Sequence, residues 1–163
     1  MPTMTVMRGV SGSGKSTWVR ENATDDAIVA SADEFFITED GEYDFDPGQL
    51  GEAHDMCFAK VLDACCLEVD IFVDNTNMTL EEIAPYRMLA RRYGYDIRYV
   101  RMKCPLDTAI ERSEKAPAEA IERQAESFEG LPPYYEGEHT EVKGYDDAAF
   151  ERADTEKIEK GGV

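Results

Sequence analysis

Gly9-Val10-Ser11-Gly12-Ser13-Gly14-Lys15-Ser16 is the stretch that decides the fold. It fills every position of G-x-x-x-x-G-K-[ST], and each position answers a physical demand. The glycines let the backbone curl until successive N–H groups point inward at phosphate oxygens. The helix that follows directs its positive N-terminus at the same anion. Lys15 then reaches the β and γ phosphates of a nucleoside triphosphate, and the Ser16 hydroxyl ligates Mg²⁺. A chance glycine-rich turn would need no particular neighbours. Here Thr3–Arg8 reads as a strand and Lys15 to about Asn22 as a helix, the setting this motif requires. Gly9, Ser11, Gly12, Ser13, Gly14, Lys15, Ser16 and Thr17 are therefore the expected ATP-binding residues, with Ser16 as metal ligand.

Outward from that loop, Ala27–Ala32 is a continuous apolar stretch, as a strand buried on both faces requires. Residues 35–46 carry Asp40-Gly41 in polar, turn-rich sequence, the signal of a small hairpin. Pro47 opens a helix to about Leu67, with Leu50, His54, Cys57, Val61 and Cys65 along one stripe. Asp70–Asp74 is the next buried strand. Thr79 with Glu82 predicts a capping box for a helix to Tyr93, which Gly94 stops. Tyr95–Met102 is a fourth strand, and Pro105 and Pro117 start helices to about Glu114 and Phe128. This order predicts a single α/β P-loop domain: a doubly wound, mostly parallel sheet of about five strands flanked by helices. Residues 1–135 are assigned to it. Residues 136–163, with nine acidic and four basic side chains, form an acidic C-terminal segment, packed on the same domain or loosely attached.

Composition agrees with one globular domain. The chain has 163 residues, 42% apolar and 32% charged, enough to bury a core without disulfides. No apolar run approaches the ~20 residues of a membrane span. The first residues pass straight into the motif with no room for a signal peptide, so a cytoplasmic location is expected. Cys57, Cys65, Cys66 and Cys104 fit no zinc or redox spacing and read as reduced, mostly core-facing residues. His54 and His139 have no partner at metal-ligand spacing. The net charge of −18 has two readings: a surface that repels polyanions, or one suited to a salt-rich cytoplasm where screening shortens its field.

Two further segments place polar groups just past buried strands, where ligands gather in such sheets. In a 2-3-1-4-5 order, the strand ending at Asp33 delivers that carboxylate beside the phosphate loop. There it can take a proton from an attacking hydroxyl or hold a water on Mg²⁺; alternatively Asp33 and Glu34 only cap the next segment. Val73-Asp74-Asn75-Thr76-Asn77 offers Asp74 to a metal or its water, and Asn75 and Thr76 to the substrate. A plain turn before Thr79 explains the same residues.

Taken together, residues 9–21 (GVSGSGKSTWVRE), 31–36 (SADEFF), 74–77 (DNTN) and 82–100 (EIAPYRMLARRYGYDIRYV) resemble the kinase domain of phage 5′-polynucleotide kinases and the small P-loop ATPases related to them. The resemblance runs over about Met4–Tyr135. It implies that Lys15 and Ser16 hold ATP and Mg²⁺, that Asp33 is the general base, and that Asn75 and Thr76 face the substrate. It also implies that Arg112 is a catalytic arginine entering a mobile lid. The chain departs from the family in a short lid, Ser113–Ala116, that offers only Lys115, and in Phe36, where the family has an arginine. Asp44-Phe45-Asp46 copies only part of the phosphatase motif that some relatives carry.

The expected activity is transfer of the ATP γ-phosphoryl to a hydroxyl, foremost the 5′-OH of single-stranded DNA or RNA. A small-metabolite, nucleoside or sugar kinase is the alternative within enzymes, and a non-catalytic ATP-bound switch is the alternative outside them. Arg87, Arg91, Arg92, Arg98, Arg101 and Lys103 are six of the 17 basic residues, and either follow a phosphate backbone or form a solvated face paired to carboxylates. An aromatic pair or basic groove beside Asp33 favours a nucleic acid. A closed, acidic or neutral pocket favours a metabolite, and a γ-phosphate site without a carboxylate favours the switch.

Overall fold

The computed structural model describes residues 1–144. Five strands, β1 (Thr3–Arg8), β2 (Ile28–Ala30), β3 (Ile71–Val73), β4 (Asp96–Lys103) and β5 (Glu138–Lys143), stand in the order β2-β3-β1-β4-β5. Every ladder is parallel. Parallel neighbours cannot be joined by a tight turn, so helices make the crossovers. These are α1 (Lys15–Asn22), α2 (Leu50–Cys65), α3 (Leu80–Tyr93), α4 (Leu106–Arg112) and α5 (Ala118–Glu126). None of them is long and apolar enough to cross a membrane.

The apolar runs read from the sequence are buried on both sheet faces. Met4, Val6, Ile71 and Val73 pack with Ala53, Cys57 and Val61 of α2 and Ile83 and Leu89 of α3. Met7, Phe72, Val100 and Met102 pack on the other face against Val19 and Trp18 of α1. The larger of these side chains, the Val, Ile, Leu, Met and Phe, each contribute about 1.5–3 kcal/mol by leaving water. At α3, Thr79 Oγ1 accepts from the Glu82 N–H at 3.3 Å and Gly94 closes the helix at φ 74°. Glu82 turns its carboxylate to the Met78 N–H at 2.9 Å, so the reciprocal half of the expected box falls one residue early.

The structure changes several expectations. The fifth strand lies within the stretch that reads as an acidic tail; residues 145–163 of that segment are outside the described residues. β5 is an edge strand with mostly exposed, charged side chains, so it carries no apolar signature. β2 is shorter than Ala27–Ala32 because Ser31 already caps a 3₁₀ turn, Ala32–Phe36. Pro47 opens a 3₁₀ turn, capped by Asp46, rather than α2 itself. Along α2 the buried face is Ala53, Cys57, Val61, Ala64 and Cys65, while Leu50 and His54 of the predicted stripe are exposed. The first turns of the helix overhang an open cleft that both residues line, so no strand covers them. Only Cys57 and Cys65 are buried; Cys66 is exposed and Cys104 half-buried. The expected hairpin is present in brief, with an antiparallel bridge from Ile37 to Tyr43 around Gly41 at φ 82°.

Candidate active site

Gly12 (φ 81°) and Gly14 (φ 97°) hold the turn that carries the chain from β1 into α1. A Cβ on Gly12 would run into the Ala109 carbonyl of α4, so that position admits no side chain without moving backbone. Ser11, Gly12, Gly14, Lys15, Ser16 and Thr17 line a cleft of about 1600 Å³ at the carboxyl edge of the sheet. Gly9 and Ser13, also expected to bind ATP, lie behind that surface. The Gly9 N–H is already donated to the Thr76 carbonyl at 3.0 Å, and Ser13 is fully buried. Both support the loop instead of facing the cleft.

Lys15 is 8% exposed, its Nζ donating to the Val10 carbonyl at 2.9 Å. Burial holds its pKa down to about 8, against the pull of Asp74 and Asp33 and with a further push from Lys115. An anion bound at Nζ would favour the charged form and raise that value. Nucleotide binding between about pH 8 and 10 is therefore expected to take up a proton and to weaken as pH rises through 8. Calorimetry in buffers of different ionisation enthalpy measures this directly; the Lys15→Met protein is expected to show no such uptake.

Behind Lys15, Ser16 Oγ donates to Asp74 Oδ2 at 2.7 Å. Asp74 Oδ1 is buried and finds no hydrogen-bond partner among the described residues. A buried carboxylate oxygen left in this way is costly unless something else meets it. Two hard oxygens side by side, one of them unpartnered, fit Mg²⁺, which prefers carboxylate and hydroxyl oxygen to nitrogen or sulfur. Asp74 thus joins Ser16 as the residue that would hold the metal. Its place just past a buried strand was the legible signal.

Asp33 sits across the same cleft. The cap role expected as one alternative belongs to its neighbours: Ser31 Oγ accepts from the Asp33 N–H, and the Glu34 carboxylate accepts from the Ser31 N–H, both at 3.2 Å. Lys60 pairs with Glu34 at 2.9 Å. The Asp33 carboxylate is left to the cleft, where Oδ1 accepts from Tyr43 OH at 3.1 Å and Oδ2 lies 3.5 Å from Lys115 Nζ. Burial and the adjoining Asp33 charge raise the Tyr43 pKa, so the phenol stays a donor.

Asn75 was expected to meet the substrate. Its Oδ1 accepts from the Ala32 N–H at 2.8 Å and its Nδ2 faces Cys57 Sγ at 3.4 Å, so its amide is engaged in tying the Asp33 turn to β3 and α2. Its side chain positions that turn. Thr76 lines the cleft and its carbonyl anchors Gly9. The segment is stapled from below by Arg8, 2% exposed, which donates to the carbonyls of Asn77, Met78 and Glu129 at 2.8, 2.9 and 2.6 Å.

The side of the cleft nearest Ser113–Ala116 is built by α4 and α5. Arg112 Nη1 donates to the Gly144 carbonyl and lines the cleft. Gln124 accepts from the Ser11 N–H at 2.8 Å. Arg20, Lys115, Arg123 and Lys143 also line the cleft, although the sequence singled out none of them as site residues beyond noting Lys115. They come from separate elements, which no local spacing reveals.

The basic cluster is not in the cleft. Arg98 pairs with Glu138 at 3.2 Å, and Arg101 and Lys103 with Glu141 at 3.6 and 2.9 Å, all across the β4–β5 ladder. Arg87 lies over the Tyr135 ring at 4.4 Å. Arg91 and Arg92 occupy the last turn of α3, at the opposite end of the sheet from the phosphate loop, where cations offset the helix dipole. The Arg91→Gln/Arg92→Gln protein is expected to keep its acceptor KM within about twofold at any salt, since such exposed charges contribute little. Steady-state label transfer checks it.

Beside Asp33 stands an aromatic wall. Phe36 is buried at its base; Phe45 meets it edge-on at 5.0 Å, and Tyr43 at 6.1 Å. The Tyr43 and Phe45 rings are parallel within 12°, at 6.3 Å between centroids.

With this geometry in view, residues 4–131 match the AAA domain family. The chain belongs to that family. A 99-residue stretch is 32% identical to human NEDD4-binding protein 2, covering 59% of this chain but 6% of that much longer protein. Solved structures share the P-loop kinase fold. The Pnkp1/Rnl/Hen1 RNA repair complex aligns at TM-score 0.64 and 21% identity, over 83% of this chain and 49% of that one. The Mycobacterium tuberculosis APS kinase CysC, solved with AMPPNP and APS, aligns at 0.54 and 18% identity over 98% of both chains.

Proposed function

We propose that this AAA-domain protein transfers the γ-phosphoryl of ATP to the 5′-hydroxyl of a polynucleotide end. The observation that carries the reading is Asp33: a half-exposed carboxylate facing the same cleft as Lys15, Ser16 and Asp74, with aromatic rings at its side. A non-catalytic switch has no use for a carboxylate so placed.

In this reading Asp33 accepts the proton of the attacking hydroxyl while Tyr43 and the Asn75-held turn fix its direction. Lys15, freed from the Val10 carbonyl, meets the β and γ phosphates. Arg112 and Arg123 add positive charge from the lid as the phosphoryl group moves. Ser16 and Asp74 would hold Mg²⁺, which when bound would supply positive charge to offset that of the phosphate oxygens. Lys115 must leave Asp33 for an acceptor to enter; their contact is half-exposed on both sides and so is easily broken.

The test is labelled ATP offered to 5′-hydroxyl oligonucleotides, nucleosides, sugars and simple alcohols. Label is expected at a 5′-oxygen. Label on a sugar alone assigns the chain to the metabolite kinases, and no transfer to any acceptor supports the switch.

A further inference from the structure

Resting on that reading, we infer that the acceptor site recognises only the terminal nucleoside, by stacking on Phe45, and that the phosphate chain beyond it is repelled rather than held.

The topology separates the two sides of the cleft. The phosphate loop follows the central strand β1; Lys143 ends the edge strand β5 and Gly144 follows it; Asp33 follows the opposite edge strand β2. Around Asp33 the lining includes Phe36, Tyr43, Phe45, Pro47 and Leu50, with Asn75, whose amide is already engaged, and Thr76 and His54 as the polar neighbours. A sugar or organic acid is selected by hydrogen bonds to each of its polar groups, and this wall offers few. A nucleobase is selected by flat apolar rings, which it presents in abundance. Phe45 is 45% exposed, yet it is held by Phe36 beneath it and lies parallel to Tyr43. Tyr43 in turn donates to Asp33. Platform and base are thus joined through one side chain, which suits a ligand whose reacting hydroxyl lies close to an aromatic ring.

The charge around that platform has the wrong sign for a phosphate track. Residues 21–59 contain twelve carboxylates and neither lysine nor arginine. Glu39, Asp40, Glu42, Asp44 and Asp46, all exposed, surround Phe45 along the chain. Lys60, the first cation after them, is paired to Glu34. Among the described residues Lys115, from the segment between α4 and α5, is the cation that reaches this side, and it lies against Asp33 and the Tyr43 ring. A polyanion entering here gains stacking at its first base and meets repulsion beyond it. Screening weakens that repulsion, so salt should help long acceptors.

The experiment measures KM for a free nucleoside, a dinucleotide and a 20-residue oligonucleotide, each with a 5′-hydroxyl, from low to molar salt. The expected result is a KM no lower for the long acceptor than for the nucleoside, falling or constant as salt rises. A chain that followed bound cations would instead weaken with salt, at a slope of ~0.7 per phosphate contact. Phe45→Ala is expected to raise KM about tenfold for all three acceptors, the usual effect of losing one stacked base. Phe45→Tyr should restore it, and KM for ATP should hold in both variants, which shows that they are folded. A long acceptor favoured over the nucleoside, with the ordinary salt slope, overturns the inference while leaving the 5′-kinase reading intact; so does an unchanged acceptor KM in Phe45→Ala. Label that reaches sugars but no nucleoside or oligonucleotide overturns both.

Discussion

Lys15→Ala is expected to abolish phosphoryl transfer and to weaken nucleotide binding, because no other described cation lies beneath the loop. The loss should exceed the ~10²–10³ typical of removing a single preorganised donor, since a full charge on the transferred group's neighbours disappears. Folding should not suffer. The ammonium is 8% exposed and desolvated enough to hold its pKa near 8, so the ligand-free fold carries it at a cost. A melting temperature no lower than that of the parent protein, with turnover gone, is the combined signature. Arginine will not substitute: its planar fork cannot take the place of a compact ammonium held 2.9 Å from the Val10 carbonyl. Full activity in Lys15→Ala would remove the phosphate loop from the chemistry altogether.

Asp33→Asn has the second-largest expected effect, a fall in kcat of ~10²–10⁴ with KM for ATP nearly unchanged. The amide keeps the shape of the carboxylate and can still accept from Tyr43, so the turn and its aromatic wall should stay in place. What it cannot do is take a proton. Its lost contact with Lys115 matters little energetically, as both groups are about half exposed. Single-turnover kinetics separate this from a binding defect. Should ATP binding collapse while turnover persists, Asp33 would be a metal or structural residue, and Asp74, with its buried unpartnered oxygen, would have to be reconsidered as the base.

These two residues were legible before any coordinates because both are local readings. Gly9–Ser16 is a contiguous motif whose backbone conformation its own glycines impose, and Asp33 is the first charged residue after an apolar strand. The sheet order could be anticipated for a related reason: parallel strands with helical crossovers admit few arrangements. β5 escaped notice because an edge strand, solvated along one side, needs no apolar pattern. Its existence depends on β4, whose Arg98, Arg101 and Lys103 find their carboxylates only across the ladder.

That pairing also shows where sequence ends and tertiary structure begins. The chain by itself determined that a glycine-rich loop between strand and helix, a carboxylate just past the next strand and a parallel sheet are present, since each follows from the order and type of neighbouring residues. It could not determine which charges face the cleft, because a cluster that is dense along the chain is spread over a helix end, a strand ladder and an aromatic ring in space. Arg20, Arg112, Lys115 and Arg123, scattered along the chain, meet around one cavity, whereas Arg87–Lys103 do not. Likewise only the fold shows that Ala32 and Cys57, 43 and 18 residues away, engage the amide of Asn75 while it lines the cleft. Charge and hydrogen bonding act through distance in space, and the fold alone sets that distance.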